Sequence, residues 1–267
     1  MSLIALLTDF GNEDWYVSAM KATIYNLNPS ANIIDITHKV KPYDIAGGAF
    51  ILSSAEISFP DKTIFCCVVD PGVGSSRDII CASDDRSIYI APNNGILELI
   101  YKKSKKWRAF RFTNHSLLKN TIGKTFHGRD IMAPLSALIS SGTKLEETGE
   151  KYDSLVSSHI PEPVYNFKNK TIDLHILYID HFGNLITNLH KENFEQHGFA
   201  RNKSDDYSIL INNKKIFGFS ETFSEKKPNE PLFYWGSSGN LEIAVNLGRA
   251  DKMFSLKIGD PILLMTP

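Results

Sequence analysis

The chain has only three cysteines in 267 residues, no charge surplus and no long apolar run. Three cysteines cannot make a disulfide framework, and Cys66 and Cys67, neighbours on a predicted strand, point to opposite faces of it. A reducing, cytoplasmic setting is therefore expected. A formal net charge of -1 gives no electrostatic footprint for nucleic acid. The basic run Lys102-Lys103-Ser104-Lys105-Lys106 is too short to change that, and reads as the wet end of a helix. Leu3 to Leu7, without a basic segment before it, is too short for a signal peptide or a membrane span. Internal repeats and low-complexity tracts are also missing. What remains is the profile of a globular enzyme or binding protein, 42% hydrophobic and 22% charged, with room for one large or two smaller domains.

The first part of the chain alternates short apolar strands with amphipathic segments. Strands are predicted at Leu3–Leu7, Ile33–Thr37, Phe65–Val69, Ile79–Ala82, Ser87–Ala91 and Arg108–Phe112. Helices are predicted from Asp14 to Leu27, after Asp44 as N-cap, around Ile96–Ile100 and over Ile131–Ile139. Such alternation predicts a largely parallel sheet with helices on both faces. After Gly149 the texture changes. Pro161, Pro163 and the polar run 166–170 read as a linker, and six short β-type runs follow between Thr171 and Met265. The expectation is an α/β domain over 1–152, a linker over 153–169 and a smaller all-β, barrel-like domain over 170–267.

One stretch organises the first domain: Phe65-Cys66-Cys67-Val68-Val69-Asp70-Pro71-Gly72-Val73-Gly74-Ser75-Ser76-Arg77. A buried strand runs into a carboxylate on a sharply turning loop, which is positioned to bring Arg77 back toward Asp70. Asp9 also follows a predicted strand, and ligands in open α/β sheets bind beyond the carboxyl ends of strands. His127, opening a helix, is a third candidate for the same crevice. Each has a structural alternative of equal standing: a turn cap, a loop anchor, a satisfied histidine. Kinase-like echoes at Asp9-Phe10-Gly11 and His127-Gly128-Arg129-Asp130 occur in the wrong order. The chain has no phosphate loop, full dinucleotide fingerprint or Gly-x-Ser-x-Gly elbow. A divalent metal on Asp9, Asp70 and His127 is a rival reading, weakened by the absence of paired ligand spacing and by Arg77. In the second domain, the strings 178–188 and 234–246 bring carboxylates, amides and aromatic rings together, as suits a heteroaromatic ligand, or ordinary barrel turns.

Taken together, these strings resemble the S-adenosyl-L-methionine (SAM) hydroxide adenosyltransferases, or SAM hydrolases, relatives of fluorinase and chlorinase. The motifs are Thr8-Asp9-Phe10-Gly11, Lys41-Pro42-Tyr43-Asp44, Asp70-Pro71-Gly72-Val73-Gly74, Ala91-Pro92-Asn93-Asn94-Gly95, Thr125-Phe126-His127-Gly128-Arg129-Asp130, Phe182-Gly183-Asn184 and Gly236-Ser237-Ser238-Gly239. The resemblance implies an α/β domain followed by a β-barrel, and hydrolysis of SAM to adenosine and L-methionine without a cofactor. It also implies a homotrimer with ligands held between subunits, and no nucleic-acid or membrane partner. By the same resemblance, Asp70, Arg77 and His127 match a water-activating set. Asp9 matches the holder of the ribose hydroxyls, and Tyr43 a residue near the sugar. Asn184 and the backbone at Ala244 match adenine contacts, and Asp180, Ser237 and Glu242 fall where methionine's charged groups are held, with Asn246 in the same region. The halogenating relatives carry an uncharged residue matching Asp70, a serine matching Gly128 and an extra loop with no room between Ser83 and Asn93, so hydroxide is expected over halide. A non-catalytic SAM or adenosine binding module is the other rival.

Overall fold

The computed structural model describes residues 3–118, 122–199 and 206–267. It divides into two compact units, one ending at His159 and the other beginning at Ile160.

In the first unit the elements run β1 (Leu3–Thr8), α1 (Tyr16–Leu27), β2 (Asn32–Thr37), α2 (Ile45–Ala55), β3 (Ile64–Val68), β4 (Ile79–Ser83), β5 (Ile88–Pro92), α3 (Glu98–Lys103), β6 (Arg108–Phe112), α4 (Ala133–Ser140) and β7 (Gly149–Lys151). The seven strands form one sheet in the order β2-β1-β3-β5-β4-β6-β7. Strand alternation divides the core cleanly. Ile4, Leu6, Cys66 and Val68 pack with Met20, Ile24 and Leu135 on one face, and Ala5, Leu7, Phe65 and Cys67 with Leu52 and Ile100 on the other. Both faces are covered, which is why β1 and β3 read as continuous apolar runs. Cys66 and Cys67 do part to opposite faces. Burial pushes the Cys66 thiol up to about 12, so it is inert as a nucleophile at neutral pH.

The expected largely parallel sheet is corrected to a mixed one. β2, β1, β3 and β5 are parallel, whereas β5–β4, β4–β6 and β6–β7 are antiparallel. The cause is local. Between β4 and β5, Asp84 Oδ1 accepts from the backbone N–H groups of Arg86 (2.8 Å) and Ser87 (2.7 Å). So short a connection makes a hairpin, while a parallel pair needs a crossover of about a dozen residues. The parallel half holds the crevice. β1 lies between β2 and β3, so the carboxyl ends of β1 and β3 open side by side.

The second unit contains β8 (Val164–Asn166), β9 (Thr171–Ile179), β10 (Leu185–His190), α5 (Lys191–Gln196), β11 (Ser208–Ile211), β12 (Lys214–Phe217), β13 (Pro231–Trp235), β14 (Asn240–Val245), α6 (Ala250–Phe254) and β15 (Pro261–Met265). Its antiparallel path is β12-β11-β15-β9-β10-β14-β13, with β8 beside β9. A bridge from Phe219 to Phe233 brings the two ends of that path together, giving a near-barrel around Leu174, Leu185, Phe233 and Ile243. Val164–Asn166, inside the stretch read as linker, pairs with β9.

Asp44 caps α2 as its sequence position implies, Oδ1 accepting from Gly47 N at 2.9 Å. Asp44→Ala is expected to lower stability by about 1 kcal/mol, and Asp44→Asn by only a few tenths. The urea midpoint, at unchanged m-value, measures both.

Candidate active site

Asp70 follows β3 by two residues, and the turns after it return the chain as the sequence implies. Val73 N donates to Asp70 O (3.3 Å), Ser75 N to Gly72 O (3.0 Å) and Ser75 Oγ to the same carbonyl (2.6 Å). Arg77 then lies against Asp70. Its Nε donates to Oδ1 at 2.8 Å and to Oδ2 at 3.0 Å, and its Nη2 donates to Oδ2. Both side chains are almost fully buried, Asp70 at 5% and Arg77 at 11% exposure, so little solvent screens the pair.

The same Nη2 lies 2.8 Å from His127 Nδ1. Arginine only donates, so Nδ1 accepts and the neutral ring carries its proton on Nε2. His127 is brought there by a loop that enters a single wide turn, Gly128–Met132, ahead of α4. Gly128 packs against Val68 and Met20, where a Cβ would already be tight. Gly74, at φ +78°, lies against the Lys124 carbonyl oxygen, and any side chain there would collide with it. Those two glycines let the Asp70–Arg77 loop and the His127 loop close on each other.

Burial, and secondly the Arg77 charge, hold His127 below its usual 6.5, against the opposing pull of Asp70, Asp130 and the Gly123 carbonyl. Asp9, at the end of β1, is displaced upward. Burial is the main cause, and nearby Asp70 adds to it, while Tyr43 N, donating to Oδ2 at 2.9 Å, opposes both. Tyr43 makes that bond from a left-handed backbone, φ 68°, and the residue is 73% exposed. Asp9, Asp70, Arg77 and His127 thus gather at one end of the parallel half-sheet.

Beside them is a cavity of about 210 Å³, lined by Phe10, Tyr16, Val68, Asp70, Phe126 and His127 among others. Its aromatic wall escaped the sequence reading. Phe10, Tyr16 and Phe126 meet with centroids 5.4–5.7 Å apart, and Trp15 joins at 4.9 Å from Tyr16. The sequence signals are Trp15-Tyr16 at a helix start, Phe10 inside Thr8–Gly11 and Phe126 inside Thr125–Asp130. Among the described residues, no group of three or more His, Cys, Asp or Glu side chains is arranged to hold a metal ion. Asp9, Asp70 and His127 share a crevice but do not form a ligand set.

In the second unit, Asp180 closes the turn after β9. It accepts from Asn184 N and from Asn184 Nδ2, both at 2.8 Å. Leu185 pairs with Ile243, so the same register sets Asn184 opposite Ala244, where β14 is paired with β13 alone. Glu242 is buried and receives the Tyr234 hydroxyl at 2.7 Å. Burial raises its pKa, and Asp180 adds to the effect. Ser237 is exposed in the β13–β14 turn, and Asn246 is engaged elsewhere, its Nδ2 donating to Lys226 O at 2.7 Å. Asp180, Asn184, Glu242 and Ala244 therefore group at one end of β10 and β14.

Comparison with known proteins gives a consistent picture. Residues 4–149 match the model of the SAM hydroxide adenosyltransferase N-terminal domain, and residues 174–263 that of the C-terminal domain. A curated relative, the (R)-S-adenosyl-L-methionine hydrolase of Methanocaldococcus jannaschii, is 32% identical over 98% of this chain and 95% of its own. The fluorinase of Actinoplanes sp. is 26% identical over 96% and 95%. Among solved structures, an uncharacterized conserved protein from Thermotoga maritima superposes with a TM-score of 0.90 at 34% identity, covering 98% of this chain and 100% of that one.

The Arg77 bridge generates a spectroscopic prediction. Imidazole ¹⁵N shifts should show His127 neutral at pH 7, protonated on Nε2, with a midpoint below 6.5. Arg77→Met, which removes the donor and leaves Asp70 unpaired nearby, should move that midpoint up. Because the folded ring is harder to protonate than the unfolded one, its contribution to stability is complete above 6.5 and is lost as pH falls toward the folded midpoint.

Proposed function

This chain belongs to the SAM hydroxide adenosyltransferase family, and on that premise we propose that it hydrolyses S-adenosyl-L-methionine to adenosine and L-methionine by attack of water at C5′. The observation that carries the reading is the joining of Asp70, Arg77 and His127 through one guanidinium beside the cavity.

The chemistry assigns the burden. The sulfonium is already an activated leaving group and departs as a neutral thioether. Protonating it gains nothing, and no added cofactor is called for. Catalysis must come from aligning water behind C5′ and from withdrawing a proton as the oxygen attacks. His127 is poorly placed to take that proton, since Nδ1 is occupied by Arg77 and Nε2 already bears hydrogen. Asp70 retains lone pairs on Oδ1, which accepts a single bond, so we assign the proton to Asp70. His127 Nε2–H and Asp70 together orient the water. The C5′–O bond forms as the C5′–S bond breaks, the electron pair goes to sulfur and the water proton goes to Asp70. Arg77, paired with Asp70, keeps the site near neutral, so the cationic substrate is not trapped against a bare carboxylate.

The same carboxylate disfavours a halide nucleophile. At ~4 Å and an effective dielectric near 20, two like charges cost roughly 4 kcal/mol. Asp9, with two carboxylate oxygens and no cation paired to it among the described residues, suits the ribose hydroxyls, and Tyr43 N donates to it. In the second unit, Asn184 and the edge of β14 at Ala244 suit adenine. Asp180, Glu242 and Ser237 suit the charged end of methionine, and Asn246 has the weakest case. A homotrimer, supported by the family resemblance, in a reducing cytoplasm, supported by the free cysteines, acting on a small molecule without nucleic acid or membrane, completes the reading. Among the described residues no helix is long and apolar enough to cross a membrane.

Incubation with SAM should release adenosine and methionine in equal amounts by liquid chromatography, undiminished by a chelator. In ¹⁸O-water the label should enter the adenosine 5′-hydroxyl and not methionine. Asp70→Asn should slow release by about 10²-fold or more, the usual scale for a positioned base. Binding without release would leave the chain a binding module, and label-free adenosine would reject attack by water at C5′.

A further inference from the structure

A second chain of polar groups ends on the turn that carries Asp9. Thr8 Oγ1 lies 2.9 Å from His38 Nδ1, and His38 Nε2 stands 3.0 Å from Asp35 Oδ1. Asp35 Oδ2 accepts from Lys21 Nζ at 2.6 Å. A threonine, a histidine and an aspartate in that order have the appearance of a nucleophilic triad. Burial excludes that use. Thr8 is fully buried and His38 is 5% exposed, so no substrate atom reaches the hydroxyl.

What the chain does touch is backbone. Thr8 Oγ1 also accepts from Phe10 N (3.3 Å), Gly11 N donates to His38 O (2.7 Å) and Val40 N donates to Thr8 O (3.3 Å). The segment from His38 to Tyr43 therefore splints the turn from Thr8 to Gly11. Asp9 sits inside that splint, its carboxylate tied to Tyr43 N. Phe10, the next residue, faces the cavity. With His38 neutral, the Thr8 hydroxyl donates to Nδ1. With His38 charged, it accepts from Nδ1–H. The bond persists in either state.

We propose that the Thr8–His38 hydrogen bond is a positioning element for substrate binding, fixing the peptide on either side of Asp9 so that its carboxylate is presented to the ribose in one orientation. Thr8 and His38 touch no substrate and act through Asp9. The proposal rests on the reading of Asp9 as the ribose-holding residue. Without its partner, a buried hydroxyl turns to another acceptor, and the turn that carries Asp9 relaxes with it.

The test is a double-mutant cycle read by calorimetric affinity for adenosine. Thr8→Val keeps the shape and removes the hydroxyl, and it should weaken adenosine binding about tenfold. Thr8→Ser should restore it to within about twofold. In an Asp9→Ala background, Thr8→Val should make no further difference. In turnover, KM for SAM should rise while kcat stays within about twofold. Unchanged affinity in Thr8→Val, or an equal loss in both backgrounds, overturns the proposal. The premise fails separately if Asp9→Ala alone binds adenosine like the parent. Should Thr8→Val not fold, His38→Asn, which keeps an amide near Nδ1, and His38→Gln, which does not, repeat the comparison from the other partner. The tenfold loss is then expected of His38→Gln only, and equal affinities for the two overturn the proposal.

Discussion

The site depends on a single guanidinium that cannot accept a hydrogen bond. Arg77 spends Nε and Nη2 on Asp70 and turns Nη2 also to His127. From that one contact follow the tautomer of His127, the orientation of Asp70 and the balance of charge beside the cavity. Lysine would supply the charge but not the planar fork, so the two loops would lose their common reference. The remaining structure can be read as what that contact requires. β3 delivers Asp70, Gly74 allows the loops to meet, and Gly128 allows the His127 loop to settle against Val68 and Met20.

Two carboxylates share the crevice and are treated differently. Asp70 has a buried cation against both oxygens. Asp9 has backbone N–H groups, Tyr43 N among them, in place of a cation, and burial raises its pKa with Asp70 contributing. Environment therefore separates two chemically identical groups: one is held against a positive partner, the other against backbone N–H, and the proposed division of labour rests on that contrast. In the second unit a similar contrast holds between Asp180, each of whose oxygens accepts one bond from Asn184, and Glu242, which receives a phenolic O–H.

Much of this was legible in local sequence. The return of Arg77 onto Asp70 is written in the Pro/Gly/Ser loop between them, and the cap at Asp44 in its place before an apolar run. The parallel pairing of β2, β1 and β3 was legible for the same reason, since β1 and β2 are each followed by a predicted helix long enough for a crossover. The antiparallel half was misread although its signal was present: the predicted strands ending at Ala82 and starting at Ser87 are only four residues apart, too close for a crossover. β7 is three residues, Gly149–Lys151, with no apolar pattern to announce it. β10 was hidden inside a string read for its polar groups. The aromatic wall and the Thr8–His38 bond join separate elements, and no local pattern reports a contact across 30 residues of chain.

Tyr43 carries a cost that the site imposes on the fold. An aromatic residue in the left-handed region is disfavoured by about 1–2 kcal/mol relative to ordinary backbone, and here the ring is exposed, so packing offsets little of it. The conformation persists because the N–H it directs inward meets Asp9. Glycine would relieve that strain and discard the exposed ring that the proposed function places near the sugar. On that reading, stability and substrate handling pull in opposite directions at this position, and a stabilising replacement here would give up the ring.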